Sequence, residues 1–364
     1  CNYMIKKIFL LFILITSYTL SQDLETKING IVQPLIDGKK NLSVSVGLFE
    51  TGNDAPKMYF YGRTSKDDSI KPNENTAYEI GSITKTFTAA ILMMLAREGK
   101  MQINDKVQDY LPDSVTIHNF TSIEHIKLMH LVTHTSGLPR LPSNLLVDKK
   151  TNPKDPYAHY TLDDMYSFIN NYILDYEPGT KYIYSNFGMG LLGHLMSRKT
   201  GKSYEELLHY YILDSLGMTT TGIKLSPEMT KNLAKGYTEK GEPAQLWNLG
   251  VLEGAGAIRS NIKDMLKYLS FNMGKTDVMN FKESLKTMQK RRYETDMPNI
   301  YIGTAWHISE TSDGKQIIWH NGGTGGYMSI IAFMPETNTG VVVLTNQASS
   351  VDETGIKILK ALNE

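Results

Sequence analysis

The chain is poor in cysteine, has no surplus of either charge, and has no apolar run long enough for a comfortable membrane span. Cys1 is the single cysteine among 364 residues. One thiol excludes a disulfide framework and a multi-thiolate metal site. Removal of the N-terminal segment would take Cys1 with it and exclude a cysteine nucleophile as well. Lysine plus arginine number 38, as do aspartate plus glutamate, so the formal charge is zero. A protein built to neutralise phosphates would carry a basic excess or stripe. The short run Lys290-Arg291-Arg292 reads as a solvated face, and no nucleic-acid partner is expected. No Gly-x-Ser-x-Gly elbow occurs, which argues against an α/β-hydrolase. His130 and His134 have helical i, i+4 spacing, but no glutamate adjoins His130. The zinc-protease motif is therefore missing, and no metal is expected.

What is present begins with an address label. Lys6 and Lys7 precede the apolar core Ile8–Ile15, and Thr19-Leu20-Ser21 offers a cleavage site before Gln22. This is the pattern of a signal peptide over 1–21, with the start at Met4 and Cys1–Tyr3 upstream of it. An uncleaved anchor is the alternative. Cys1 precedes the apolar core, so it is not a lipoprotein cysteine created by cleavage after that core. The expectation is a periplasmic or secreted protein with no stable membrane span after cleavage, large enough to fold without cross-links.

Residues 22–364 are expected to form one domain, with an α/β part at about 22–100 and 300–364 and a mostly helical part at about 101–299. Apolar spacing predicts a helix from Leu24 to Ile36, then strands at Leu42–Phe49 and Met58–Tyr61. A strongly apolar helix runs from Ser82 to about Glu98 and closes at Gly99. Further helices are expected at Ile126–Thr133, Leu162–Asn171, Gly188–Lys199, Tyr204–Ser215 and Ile262–Met273. Strands return at Thr304–Ser309, Gln316–His320, Met328–Met334 and Gly340–Thr345, before a closing helix at Glu353–Leu362. Strands at both ends with helices between imply an α+β fold whose antiparallel sheet is assembled from the two chain ends.

Three short motifs carry chemistry. Ser82-Ile83-Thr84-Lys85 opens the apolar helix, and residues three apart share a helical face. A serine hydroxyl needs a base, and a lysine one turn inside a buried helix loses solvation, which lowers its pKa towards a usable one. Ser-x-x-Lys also occurs at Ser260–Lys263 and Ser312–Lys315, and an N-cap serine beside an unrelated lysine reads the same locally. Tyr184-Ser185-Asn186 is the only Tyr-x-Asn; it offers a phenol to shuttle a proton and an amide to hold a partner, or a tyrosine that simply packs a loop. His320-Asn321-Gly322-Gly323 ends a strand. Its glycines would let a substrate lie along the strand edge beside a free N–H, or form a glycine-rich turn.

In this order the motifs resemble those of the class C β-lactamase, DD-peptidase and related esterase family of penicillin-recognising serine hydrolases, over almost the whole chain after the leader. Tyr78-Glu79-Ile80-Gly81 before Ser82, Leu131–Pro139, Glu177-Pro178-Gly179 and Gly254–Ser260 are similar to its other characteristic stretches. The resemblance implies a β-lactamase/transpeptidase-like fold with a helical insert and no cofactor. It implies an acyl-enzyme at Ser82 and Lys85 as the base. Tyr184 would be the proton relay, with Asn186 positioning Lys85 and the acyl amide. His320, Asn321 and Gly322 would bind substrate, and the backbone N–H groups of Ser82 and Gly323 would form the oxyanion hole. One departure stands out: His320-Asn321-Gly322 replaces the Lys-Thr-Gly of many family β-lactamases. Histidine is mostly neutral at pH 7, so the charge that helps hold a substrate carboxylate is absent. The expectation is a hydrolase of a small-molecule or peptide ester or amide. A true β-lactamase or DD-carboxypeptidase is the enzymatic rival, and a non-hydrolytic sensor or scaffold is the rival from another class. Oligomeric state is not legible.

Overall fold

Ser43–Phe49 (β1) places Val44, Val46 and Leu48 on one face and Ser43, Ser45, Gly47 and Phe49 on the other, and all seven are buried. A strand buried on both faces needs a layer on each side. The computed structural model describes residues 24–118, 125–145, 151–276, 278 and 280–364. The proposed signal peptide lies outside the described residues.

Beside β1 come Lys57–Gly62 (β2), Ala77–Glu79 (β3), Arg259–Asn261 (β4), Tyr293–Glu294 (β5), Tyr301–Ile302 (β6), His307–Glu310 (β7), Gln316–Gly323 (β8), Met328–Met334 (β9) and Thr339–Thr345 (β10). The main sheet is antiparallel in the order β2-β1-β10-β9-β8-β7-β6-β5, so the first strand pairs with the last, Val46 opposite Val343. This is the α+β arrangement anticipated from the two chain ends. One face carries Val44, Val46, Leu48, Ile330 and Ala332, packed against Leu24, Ile28 and Val32 of helix 24–37 (α1) and Ile358 and Leu359 of helix Asp352–Ala361. The opposite face contributes Phe49, Ile331, Phe333, Val342 and Leu344 to a larger core. Helix Ile262–Asn272 lies so close there that a Cβ at Gly47 would come 2.8 Å from Leu266.

That core surrounds helix Thr84–Arg97 (α2), every residue of which from Thr84 to Leu95 is buried. The three-residue 3-10 turn Gly81–Ile83 precedes it, so Ser82 sits in a tight turn just before the α-helix proper. Three further helices are Leu128–Val132 (α3), Leu162–Asn171 (α4) and Asn186–Thr200 (α5). The helix expected over Tyr204–Ser215 is α-helical to Leu208, widens to a π-helical stretch at His209–Leu213 and returns to α-helix at Asp214–Leu216.

Two of the features that were not anticipated shape the site. β8 runs through His320 to Gly323 instead of stopping at His320, because Gly322 and Gly323 continue the ladder with Ser329 and Met328. A separate ribbon pairs β3 with β4, Glu79 opposite Arg259. Their side chains form a buried ion pair at 3.0 Å, and losing one partner of such a pair typically costs about 3–5 kcal/mol. Tyr78 Oη and Ser45 Oγ, 2.9 Å apart, tie the ribbon to β1. The ribbon feeds directly into Gly81, so it fixes where Ser82 emerges.

Candidate active site

Gly81 has φ +51°, and a Cβ there would stand 2.6 Å from Gly323 N. Glycine is required on both counts, left-handed backbone and close approach of another chain. Ser82 follows, open to the cleft. Lys85, one turn deeper, is fully buried. Its Nζ donates to Ser82 Oγ at 2.9 Å and to Ala255 O at 2.7 Å. Burial, assisted by the Arg140 guanidinium, holds the amine well below its ordinary 10.5. When the amine has lost its proton it carries a lone pair, so it can accept the Ser82 proton along the line on which the ammonium donates. Ala255 belongs to the Gly254–Ser260 stretch, which therefore borders the site.

Tyr184 is brought to the same point by a different route. Ile183 N donates to His134 O, and Asn186 N and Phe187 N both donate to Arg140 O. Ser185 N donates to His134 Nδ1 at 3.1 Å, while Ser185 Oγ donates to Pro139 O and accepts from Gly188 N, capping α5. Loop 133–140, in which His134 adopts φ +57°, thus clamps the tyrosine. Ser82 and Tyr184 line the same cleft, and burial pushes the phenol pKa above the ordinary 10 against the opposing effects of Ser82 and Arg140. Lys85 Nζ lies 4.9 Å and Arg140 Cζ 5.1 Å from the ring centre. Serine, lysine and tyrosine converge, although 102 positions separate the first from the last.

The third side is β8. Thr324 N donates to Tyr327 O, and Gly323 is opposite Met328. Donors alternate sides along an antiparallel strand, so Gly323 turns its N–H away from β9 and towards the Ser82 turn. A Cβ at Gly322 would lie 2.0 Å from Ile80 O, and Ser329 Oγ donates to the same carbonyl at 2.9 Å. The strand and the Ser82 turn are in contact.

Two anticipated residues behave differently. The His320 ring is fully buried behind Tyr184, their centres 6.3 Å apart. Neighbouring side chains on a strand point to opposite faces: His320 faces the core, and Asn321 faces the rim, where its Nδ2 donates to Asp352 Oδ2 at 2.8 Å. Burial, with His307 and Lys85 adding to it, keeps the His320 pKa far below 6.5, so the ring is neutral. Asn186 makes no hydrogen bond to Lys85; its Nδ2 donates to Tyr157 Oη at 3.3 Å, and its Oδ1 is buried without a protein partner.

The cleft measures about 670 Å³ and is lined by Ser82, Tyr184, Asn186, Asn321, Gly322 and Gly323, together with residues that the sequence does not single out one by one, some of them in the loops 140–160 and 274–300 where specificity is expected to lie. These include Arg140, Tyr157, Tyr182, Trp247, Asp296, His307 and Trp319. His307 stacks on Trp319 at 4.6 Å, and Tyr182 Oη meets His307 Nε2 at 3.2 Å. Only Arg140 carried a local signal, being the next residue after the Leu131–Pro139 stretch. His130 Nδ1 accepts from Lys127 N, as His134 Nδ1 does from Ser185 N. Among the described residues no helix is long and apolar enough to cross a membrane.

A comparison with protein families matches residues 28–362 to the family described as Beta-lactamase. A Beta-lactamase of Providencia stuartii is 27% identical, the alignment covering 92% of this chain and 88% of the relative. Protein flp of Staphylococcus aureus is 27% identical over 79% of this chain and 56% of its own length. A solved class C beta-lactamase superposes with a TM-score of 0.80 at 25% identity, covering 93% of this chain and 96% of that one.

Proposed function

The chain belongs to the β-lactamase family and is a serine hydrolase, and from that premise we propose that it cleaves a small ester or amide through an acyl-enzyme on Ser82. The observation that carries the reading is a fully buried amine 2.9 Å from a cleft-facing hydroxyl. Environment pushes the two proton-transfer groups apart: Lys85 is held low and Tyr184 high. A pair split in this way assigns its own roles. The proton of Ser82 ends on Lys85 as Oγ bonds to the carbonyl carbon. The N–H groups of Ser82 and Gly323 stabilise the resulting oxyanion. Tyr184, neutral throughout most of the cycle, passes the proton to the leaving alcohol or amine as the old bond breaks. Water then enters, gives its proton back along the same path, and releases the acid and free Ser82. All the groups in this scheme come from the chain, and it invokes no cofactor.

Turnover of a β-lactam is the second reading, favoured by the likeness to class C enzymes. The buried, neutral His320 weighs against it, since the strand supplies no permanent positive charge for a carboxylate. We further propose action outside the cytoplasm, on the strength of the Lys6–Ser21 pattern alone. Intact mass after exposure to an acylating ester probe tests the central claim. The wild type is expected to gain one acyl adduct and Ser82→Ala none; an adduct on the variant defeats the proposal. Rates on nitrocefin, a D-Ala-D-Ala peptide and a p-nitrophenyl ester then separate the substrate readings, and rapid nitrocefin turnover would reverse their order. Absence of turnover on all three, with identical behaviour of Ser82→Ala, would favour a binding protein.

A further inference from the structure

Two charges of opposite sign line the cleft. Arg140 is exposed and lies against the Tyr184 ring, its Cζ 5.1 Å from the ring centre. Asp296 is exposed in the turn between β5 and β6. Among the described residues no hydrogen bond or ion pair engages either side chain, and they do not pair with each other, although they act on the ionisation of Tyr182 with opposite sign. Most of the charged neighbourhood is otherwise committed: Asp352 is bonded to Asn321, and Glu79 to Arg259. Lys85 is occupied by Ser82 and Ala255.

From this we propose that the cleft is built for a zwitterion: a short substrate, such as an unblocked peptide, whose carboxylate is held by Arg140 and whose ammonium is held by Asp296. The inference rests on the hydrolase reading above and names its substrate class. Arg140 stands beside Tyr184, which touches Ser82, so an anion on its guanidinium lies close to the scissile carbonyl. Guanidinium suits a carboxylate because its planar fork donates two parallel hydrogen bonds. Asp296 projects from the far end of the sheet, next to the exposed Met297, which gives an aliphatic surface beside the carboxylate. The cleft lining also carries aromatic rings, among them Tyr157 and Trp247 with centres 5.4 Å apart. A ligand carrying one charge of each sign pairs with both walls and leaves the cleft neutral; one with a single charge leaves an unpaired group at the other wall.

The test is a four-member panel with one scissile bond: a short peptide with both ends free, N-acetylated, C-amidated, and blocked at both ends. kcat/KM is measured for the wild type, Arg140→Gln, Arg140→Lys and Asp296→Asn. The free peptide is expected to be the best substrate, each block costing about tenfold, the scale of one partly exposed charge pair. Arg140 also faces Lys85, so the readout is a ratio and not an absolute rate. Arg140→Gln should collapse the preference for free carboxylate over amide and keep the preference for free amine; Arg140→Lys should recover part of it. Asp296→Asn should do the converse. A variant that slows all four peptides by one factor, or a doubly blocked peptide cleaved as fast as the free one, overturns the proposal while leaving the hydrolase intact. No turnover of any member, together with failure of the ester probe to acylate Ser82, overturns the hydrolase reading and this inference with it.

Discussion

The two flanks of Ser82 are built in opposite ways. On the α2 side the hydroxyl and the amine are local and satisfied: Ser82 and Lys85 are three positions apart, and the buried amine donates to Ser82 Oγ and, from a distant stretch of chain, to Ala255 O. On the Tyr184 side the parts come from four distant segments, and several buried polar atoms have no protein partner: His134 Nε2, His307 Nδ1, His320 Nε2 and Asn186 Oδ1. Buried polar groups are normally paired, and each exception calls for a reason. The difference is that the proposed nucleophile and base are already bonded to each other without a substrate. The relay side leaves bonding capacity unused, and of these four residues Asn186 and His307 line the cleft.

The sharpest way to break this comparison is to empty the α2 side. Lys85→Met removes the proposed base and is expected to lower kcat/KM by about 10⁴, the upper range for a general base acting with its nucleophile. Acylation by the ester probe should fail with it. In the wild type, activity rises with pH as the amine loses its proton, and since burial depresses that pKa the acid limb lies well below pH 10.5. A variant retaining the wild-type rate and limb would show that the base lies elsewhere.

Emptying the other side should do less. Tyr184→Phe keeps the ring against Lys85 and Arg140 and deletes the hydroxyl, so solvent in the open cleft can carry part of the relay. A loss of about 10² in kcat is expected, read by steady-state kinetics, with probe acylation slowed but present. Equal losses for Lys85→Met and Tyr184→Phe would make the two flanks one unit and dissolve the distinction.

Legibility in the sequence follows the same division. The Ser82–Lys85 relation is one helical turn, and the apolar run behind it announces burial, so both could be read directly. The long strands β1, β9 and β10 announced themselves by β-branched composition. β3 and β4 could not be read: each is three residues long, and they pair across 180 positions, Glu79 with Arg259. β5 and β6 are two residues each. Strand parity was available for His320 and Asn321 and forbade both from facing one substrate. The resemblance to the Lys-Thr-Gly motif outweighed it. Arg140 and Asp296 sit in loops without periodicity, so only the folded backbone brings them to the cleft.

The finest test addresses the histidines behind Tyr184. His134 lies 4.4 Å from the tyrosine ring and His307 5.2 Å from His320, centre to centre. Burial lowers the pKa of all three, that of His307 to about 4. Between the unfolded value near 6.5 and the folded one, the unfolded chain binds the proton and the native state does not. Stability is therefore full above pH 6.5 and drains as pH falls towards 4. For His307 alone the loss from pH 7 to pH 5 is about 2 kcal/mol. His307→Asn will carry its own cost, since it abandons the stack on Trp319, but that cost is the same at both pH values and cancels when slopes are compared. Urea unfolding at pH 7 and pH 5 should thus show the wild type losing about 2 kcal/mol more than the variant. His134 and His320 should leave a residual slope of the same sign in both. If the variant declines as steeply as the wild type, His307 is not the neutral buried group described here, and the unused bonding capacity on the relay side does not include it.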